Sequence, residues 1–148
     1  KYRRDYHFLK KYLEENPTNV RTQFYLAQSA FDAHMFEEAE IEYEKRAGMG
    51  GWIEEVFYSW MRVGISREIL NKPLEQVIDA FLMAHEVLPV RSEPFWQMSC
   101  IYRKHNRPRN AFIMAHHALS IPMPENNILF VDTGVYTWGI LDEVATTA

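Results

Sequence analysis

Thiols are almost missing from this chain: Cys100 is its one cysteine, which excludes an internal disulfide and any zinc site built from paired thiols. Long apolar runs are missing as well. No stretch of about 18 apolar residues occurs, so no segment is expected to cross a membrane as a helix, and no basic-then-apolar leader opens the chain. Positive charge is not in excess. The 16 Lys plus Arg stand against 20 Asp plus Glu, a formal net charge of −4, with the signs interspersed, which excludes the basic footprint of a general nucleic-acid binder. Asp5, Asp32, Asp79, Asp132 and Asp142 all lack a second Asp two residues on, and no Gly-Lys-Ser/Thr string marks a nucleotide loop. No metal and no cofactor is therefore expected, and the single thiol suits a reducing, cytoplasmic setting.

Apolar and aromatic side chains are plentiful, at 47% and 14% of the 148 residues, enough for a real core and against disorder. Their spacing is helical. Breaks fall at Pro17, 48–51, 71–73, Pro89, 106–108 and Pro122, because Gly and Pro interrupt helices. The expected helices span 1–15, 19–33, 36–48, 52–70, 74–87, 92–106, 108–120 and 134–147. Short turns between them favour antiparallel neighbours. The string 128–131 is strand-like but has no evident partner, and reads as an extended connector.

A repeat runs through these helices. Leu26 and Ala27 are followed by Ala39 and Tyr43; Trp60, Val63 and Gly64 by Val77, Phe81, Ala84 and Pro89; and Phe95, Met98, Ser99 and Tyr102 by Ala111, Ala115 and Ala118. The small residues Ala27, Gly64 and Ser99 recur at spacings of 37 and 35. Small side chains let paired helices approach, and the aromatics fill the space between pairs. The pattern resembles the tetratricopeptide (TPR) repeat, a helix pair of 34 residues. The fold class expected is all-α, a TPR-like superhelix of antiparallel helix pairs; an irregular helical bundle is the competing arrangement. One helical repeat domain is expected over 1–148, with a flanking helix at 1–16, three helix hairpins at 17–124, and a connector and capping helix at 125–148. The first copy departs from the pattern: the 48–51 turn replaces its closing Pro, and Arg46 stands where a small residue is usual.

The strings Arg21-Thr-Gln-Phe-Tyr-Leu-Ala-Gln28, Tyr43-Glu-Lys-Arg46, Gly50-Gly-Trp-Ile-Glu-Glu-Val56 and Pro89-Val-Arg-Ser-Glu-Pro94 resemble the TPR-like region appended to bacterial and viral family-2 glycosyltransferases. Phe130-Val-Asp132 and Val135-Tyr136 are similar to it less sharply. The resemblance implies a larger parent enzyme that transfers a sugar from an activated donor, with this segment as its non-catalytic companion. Residues 1–15 are already helical at the first position, and the chain is read as a piece of that larger protein.

Candidate chemistry is thin. His7, His34, His85, His105, His116 and His117 offer ring nitrogens, but adjacent His116 and His117 point about 100° apart on a helix and form no two-ligand face. Glu37-Glu38 and Glu54-Glu55 fall in first helical turns, where carboxylates favour the helix dipole by roughly 0.3–1 kcal/mol. Cys100 has no evident base or orienting partner. The stronger signal is a binding face. The first helices of TPR pairs line the concave surface, and this places Arg21, Phe24, Gln28, Phe31 and Asp32, then Glu55, Tyr58 and Arg62, then Glu93, Trp96, Arg103 and Lys104 toward it. Aromatic faces beside guanidinium groups suit a peptide, a protein segment or a glycan acceptor; the opposing reading is that the aromatics are inter-repeat core and the charges a solvated face. The expected function is binding or scaffolding beside a glycosyltransferase domain, the alternative a free-standing protein-interaction adaptor, with self-association open to either.

Overall fold

A computed structural model describes all residues, 1–148, and it is entirely helical. The helices are α1 (Tyr2–Glu15), α2 (Val20–Asp32), α3 (Phe36–Gly48), α4 (Ile53–Ile69), α5 (Leu74–Val87), α6 (Glu93–Lys104), α7 (Pro108–Leu119) and α8 (Ile140–Thr147), the last preceded by a π-helical turn at Val135–Gly139. They form two compact units, Lys1–Val87 and Leu88–Ala148. The string 128–131 forms no strand.

Local chemistry explains most boundaries. Asn19 caps α2 by accepting from the Thr22 amide at 2.9 Å, a bond of about 1 kcal/mol. Pro occupies the first turns of α6 and α7, where its missing N–H is no loss. Glu37 and Glu38 open α3 while Lys45 and Arg46 close it, each sign at the end the helix dipole favours.

One turn recurs three times. α2, α4 and α6 each end with a residue in the left-handed region, His34, Asn71 and Asn106, at φ of 58°, 53° and 56°. The next amide reaches back five residues in each case: Met35 to the Ala30 carbonyl, Lys72 to Arg67, Arg107 to Tyr102, at 2.8–3.0 Å. This double-bonded C-terminal turn satisfies the last carbonyls of the helix and reverses the chain. The three turns are spaced 37 and 35 residues apart, as the small residues are.

In the first unit, Tyr6, Leu13, Phe24, Leu26, Ala27, Ala30, Ala39, Tyr43, Val63 and Ala80 form a core drawn from all five helices. Gly64 sits so close to Phe81 that an added Cβ would lie 2.7–2.9 Å from the ring. Ala27 has no exposed surface. Arg46, the departure from the repeat, is fully buried. Its Nε and Nη2 donate to Glu55 at 3.1 and 2.7 Å and its Nη1 donates to the Gly50 carbonyl at 2.6 Å. A long side chain thus replaces a small one because it ties the glycine turn, with Gly50 and Gly51 at positive φ, to the start of α4.

The second unit pairs α6 with α7. Ser99 Oγ lies 2.9 Å from the Ala111 carbonyl and 3.0 Å from the Glu143 carboxylate, so its one proton is shared between helices. The expected helix over 134–147 differs at its start, which widens into the π turn. Two tertiary anchors coincide with it: the Tyr136 hydroxyl donates to Glu93 at 2.6 Å, and Gly139 lies against the Trp96 indole. Wide single turns of this kind mark places where outside contacts override the regular ladder.

Candidate binding face

In the first unit, four of the expected face residues converge. Phe24 of α2 meets Tyr58 of α4 with ring centroids 5.9 Å apart, and Tyr43 of α3 closes the cluster at 6.1 Å from Phe24 and 6.2 Å from Tyr58. Phe31 joins through Tyr43 at 6.5 Å. The Arg62 guanidinium lies 4.2 Å over the Phe31 ring and 5.0 Å over Tyr58, and its Nε donates to the Tyr58 hydroxyl at 2.7 Å. Such stacking holds a guanidinium in place through its attraction to the ring face. It leaves the two terminal nitrogens of Arg62 without a partner in the chain.

Depth divides these residues. Phe24 and Tyr43 are buried core, while Phe31, Tyr58 and Arg62 are half-buried and Asp32 is exposed. Burial pushes the Tyr58 hydroxyl above its ordinary pKa, against the opposing pull of Arg62, and the Asp32 carboxylate adds to the upward shift. The hydroxyl therefore stays protonated and neutral.

The remaining residues of the first unit lie apart. Arg21 is exposed and bonds to the Tyr25 hydroxyl at 3.1 Å. Gln28 is half-buried on α2. Glu55 belongs to the Arg46 ion pair at the foot of α4.

In the second unit, the side of α6 that carries Glu93 and Trp96 is covered by the chain's own segment 132–143, with Arg103 exposed at its edge. Glu93 is buried, receives Arg91 Nε and Nη2 at 3.0 and 2.7 Å, and accepts from Tyr136. Arg91 also reaches Asn127 and the Phe130 carbonyl, each at 3.4 Å, and so pins the connector. Arg103 pairs with Glu143 at 2.7 Å. Lys104 is exposed at the end of α6. Burial raises the pKa of Glu143, but hydrogen bonds from Arg103, Cys100 and Ser99 outweigh it and hold the carboxyl below its ordinary value. Burial and the same carboxylate push the Cys100 thiol up to about 12, which keeps it protonated and poorly nucleophilic near neutrality.

Sequence reasoning passed over Tyr43, Arg91, Tyr136 and Glu143 as site residues. Tyr43 entered as a mark of the repeat and in a family-like string, and Tyr136 only in such a string. Nothing local distinguishes Arg91 or Glu143 from solvated charges; their burial is a tertiary fact. No three His, Cys, Asp or Glu side chains gather into a group that could hold a metal, and no helix is long and apolar enough to cross a membrane.

No protein-family model matches the sequence, and no curated protein does. Solved structures do. One crystal structure of MamA protein is similar with a TM-score of 0.66 and 19% identity, over 78% of this chain and 61% of that one. A second MamA crystal structure is similar with a TM-score of 0.67 and 17% identity, over 96% of this chain and 81% of that one. TTC0263, a thermophilic TPR protein in Thermus thermophilus, is similar with a TM-score of 0.59 and 15% identity, over 96% of this chain and 77% of that one. The chain thus spans about three fifths of the length of the first of these structures. At such identities the likeness is one of fold, and the fold is the TPR-like array of antiparallel helix pairs that the repeat spacing predicts.

Proposed function

We propose that this chain is a non-catalytic binding module that holds a peptide or protein segment against the α2 and α4 face of its first unit. The observation that carries the reading is Arg62, stacked on Phe31, fixed to Tyr58 and half-exposed. A guanidinium held in this way can fork onto a carboxylate with little further loss of side-chain freedom. Phe31 and Tyr58 supply apolar contact beside it, and the exposed Asp32 at the end of α2 would give the face a polar edge.

Peptides selected from a random-sequence display library against residues 1–148 provide the probe. The expected result is that the selected peptides carry a carboxylate and that Arg62→Ala weakens their binding roughly tenfold or more, a loss of at least about 1.4 kcal/mol, with the helical circular dichroism unchanged. Peptides that bind the Arg62→Ala protein as well as the parent sink the reading.

The finer form of this proposal makes the module the companion of a family-2 glycosyltransferase domain, in which case the occupant is an acceptor glycan or an assembly partner. Its support is the run of family-like strings between Arg21 and Tyr136. A free-standing cytoplasmic adaptor accommodates the same face equally well. An upstream α/β domain with an Asp-x-Asp motif in the same gene decides for the first, and its absence decides for the second. Under either, purified residues 1–148 turn over no nucleotide-sugar donor with Mg²⁺ or Mn²⁺ supplied.

A further inference from the structure

A pocket of about 290 Å³ opens between α1, α2 and α3 of the first unit, and it shares no residue with the Arg62 face. Its walls all lie between Lys10 and Lys45, on three helices that pack against one another. The volume falls just under the roughly 300–1,000 Å³ of sites that hold drug-sized ligands, so an occupant is small.

Glu42, in the α3 wall, is incompletely satisfied. Its side chain is only 4% exposed. Oε2 accepts from the Gln23 amide at 2.8 Å, and the same amide donates to the Glu42 carbonyl at 2.9 Å. Oε1 has no such bond. Two ammonium groups stand off it, Lys45 Nζ at 3.5 Å and Lys10 Nζ at 3.9 Å, beyond the hydrogen-bonding range of about 2.7–3.2 Å. Glu40, the other buried carboxylate that α3 turns to lysine and arginine, takes Arg67 at 2.8 Å and Lys72 at 3.0 Å. A carboxylate withdrawn from water is costly unless close donors replace its hydration. At Glu42 the donors are near but not engaged. Lys45 and Lys10 are 60% and 53% exposed, and Lys10 donates to the Tyr6 hydroxyl at 3.0 Å instead.

The charges around the pocket balance, Lys10 and Lys45 against Glu14 and Glu42. An anion would bring its charge against Glu42, and a cation would bring its charge against the lysines. A small ligand that carries both signs side by side meets each with its opposite. Leu13, Leu26 and Pro17 supply the apolar remainder of the lining.

We infer that this pocket binds a free α-amino acid with an aliphatic side chain. The ligand's ammonium donates to the open Glu42 Oε1, its carboxylate draws Lys45 and Lys10 off that oxygen, and its side chain lies on Leu13, Leu26 and Pro17. Two long contacts are exchanged for short charge-assisted hydrogen bonds, which are the stronger kind. A peptide end carries only one of the two charges and fills half of the site. The site uses neither Arg62 nor Phe31, and it stands or falls apart from the peptide-binding reading.

Titration of residues 1–148 with l-leucine, followed by NMR of methyl and amide groups, tests the assignment. Saturable shifts are expected at Leu13, Gln23 and Leu26 at millimolar ligand. N-Acetyl-leucine lacks the ammonium and leucinamide lacks the carboxylate, and each is expected to bind about tenfold more weakly or worse, for want of one charge-assisted contact. Glu42→Gln keeps an oxygen for the Gln23 amide but offers the ligand no charge, and Lys45→Met removes an exposed ammonium from the rim. Both variants are expected to keep the helical circular dichroism and to lose leucine affinity, by about tenfold and about threefold respectively. A parent chain without leucine-dependent shifts at these residues overturns the inference. So does either analogue binding as tightly as leucine, or a folded Glu42→Gln or Lys45→Met protein that binds leucine as the parent does.

Discussion

The contact between successive first-type helices is made twice in this molecule with different chemistry. Between α2 and α4 it is aromatic: Phe24 on Tyr58, and Phe31 under Arg62. Between α6 and the segment leading into α8, Trp96 lies on a bare glycine and Arg103 on a carboxylate, with Glu93 taking Arg91 and Tyr136. The backbone positions correspond, but one contact is held mostly by dispersion and ring electrostatics and the other by ion pairs. Helix-pair geometry therefore does not dictate the side chains that seal it. The difference should appear as unequal sensitivity to charge removal and pH in the two units.

The largest expected effect is at Arg91. Its removal leaves the Glu93 carboxylate buried without its guanidinium, and losing one partner of a buried pair costs about 3–5 kcal/mol. Arg91→Met should lower the urea midpoint accordingly, with hydrogen exchange accelerating in Leu88–Ala148 before Lys1–Val87. Arg91→Met combined with Glu93→Leu should recover most of the loss; a single variant as stable as the parent contradicts the ionic description of this unit.

Tyr136 sharpens the same point. Burial and the Glu93 carboxylate raise its hydroxyl from the ordinary 10.0 to about 12. The folded form holds the proton more tightly, so the stabilisation is complete below about pH 10 and is lost as pH rises toward 12. Tyr136→Phe should destabilise by about 1.5–3 kcal/mol, the range for a hydrogen bond to a charged group. It should also flatten the alkaline loss, leaving the part due to Cys100 in this unit. An unchanged alkaline profile in Tyr136→Phe would place the titration elsewhere.

Ala27 and Ala145 compare a buried small residue of the repeat with an exposed one on α8. Ala27→Leu overpacks a site with no free surface and should cost about 1–3 kcal/mol. Ala145→Leu adds the same atoms to the exposed α8 face and should stay within about 0.5 kcal/mol in dilute solution. Equal melting shifts for the two would contradict the burial of Ala27 against its neighbours.

Acid gives the smallest expected change. Glu143 titrates below its ordinary value in the folded protein, so its contribution is present above pH 4.5 and is lost as pH falls through the lowered value. Glu40 in the first unit behaves alike: burial raises its pKa, but Arg67 and Lys72 outweigh it and lower the carboxyl. Glu143→Gln should reduce the acid sensitivity of Leu88–Ala148 alone, which residue-level hydrogen exchange between about pH 3 and 6 would report.

Much of the fold was legible because its determinants are local. The breaks at 71–73 and 106–108 carry Asn71 and Asn106, residues that tolerate the left-handed turn; His34, which makes the same turn, carries no such mark. Ala27, Gly64 and Ser99 announced the helix approaches because only small residues permit them. The binding face was less legible. Periodicity places Glu93, Trp96 and Arg103 on one side of α6, but it says nothing about a segment some forty residues later returning to cover the first two and pair with the third.

By itself, then, the sequence determined the helices, their pairing and the recurrence of small residues, since each rests on spacing within a few turns of chain. Only the tertiary structure decided that Arg46, Arg91, Glu93 and Glu143 are buried ions rather than solvated ones. It alone decided that the last helix begins as a π turn and repeats the seating of α4. Burial of a charge depends on which distant groups arrive to satisfy it, and no local pattern records that arrival.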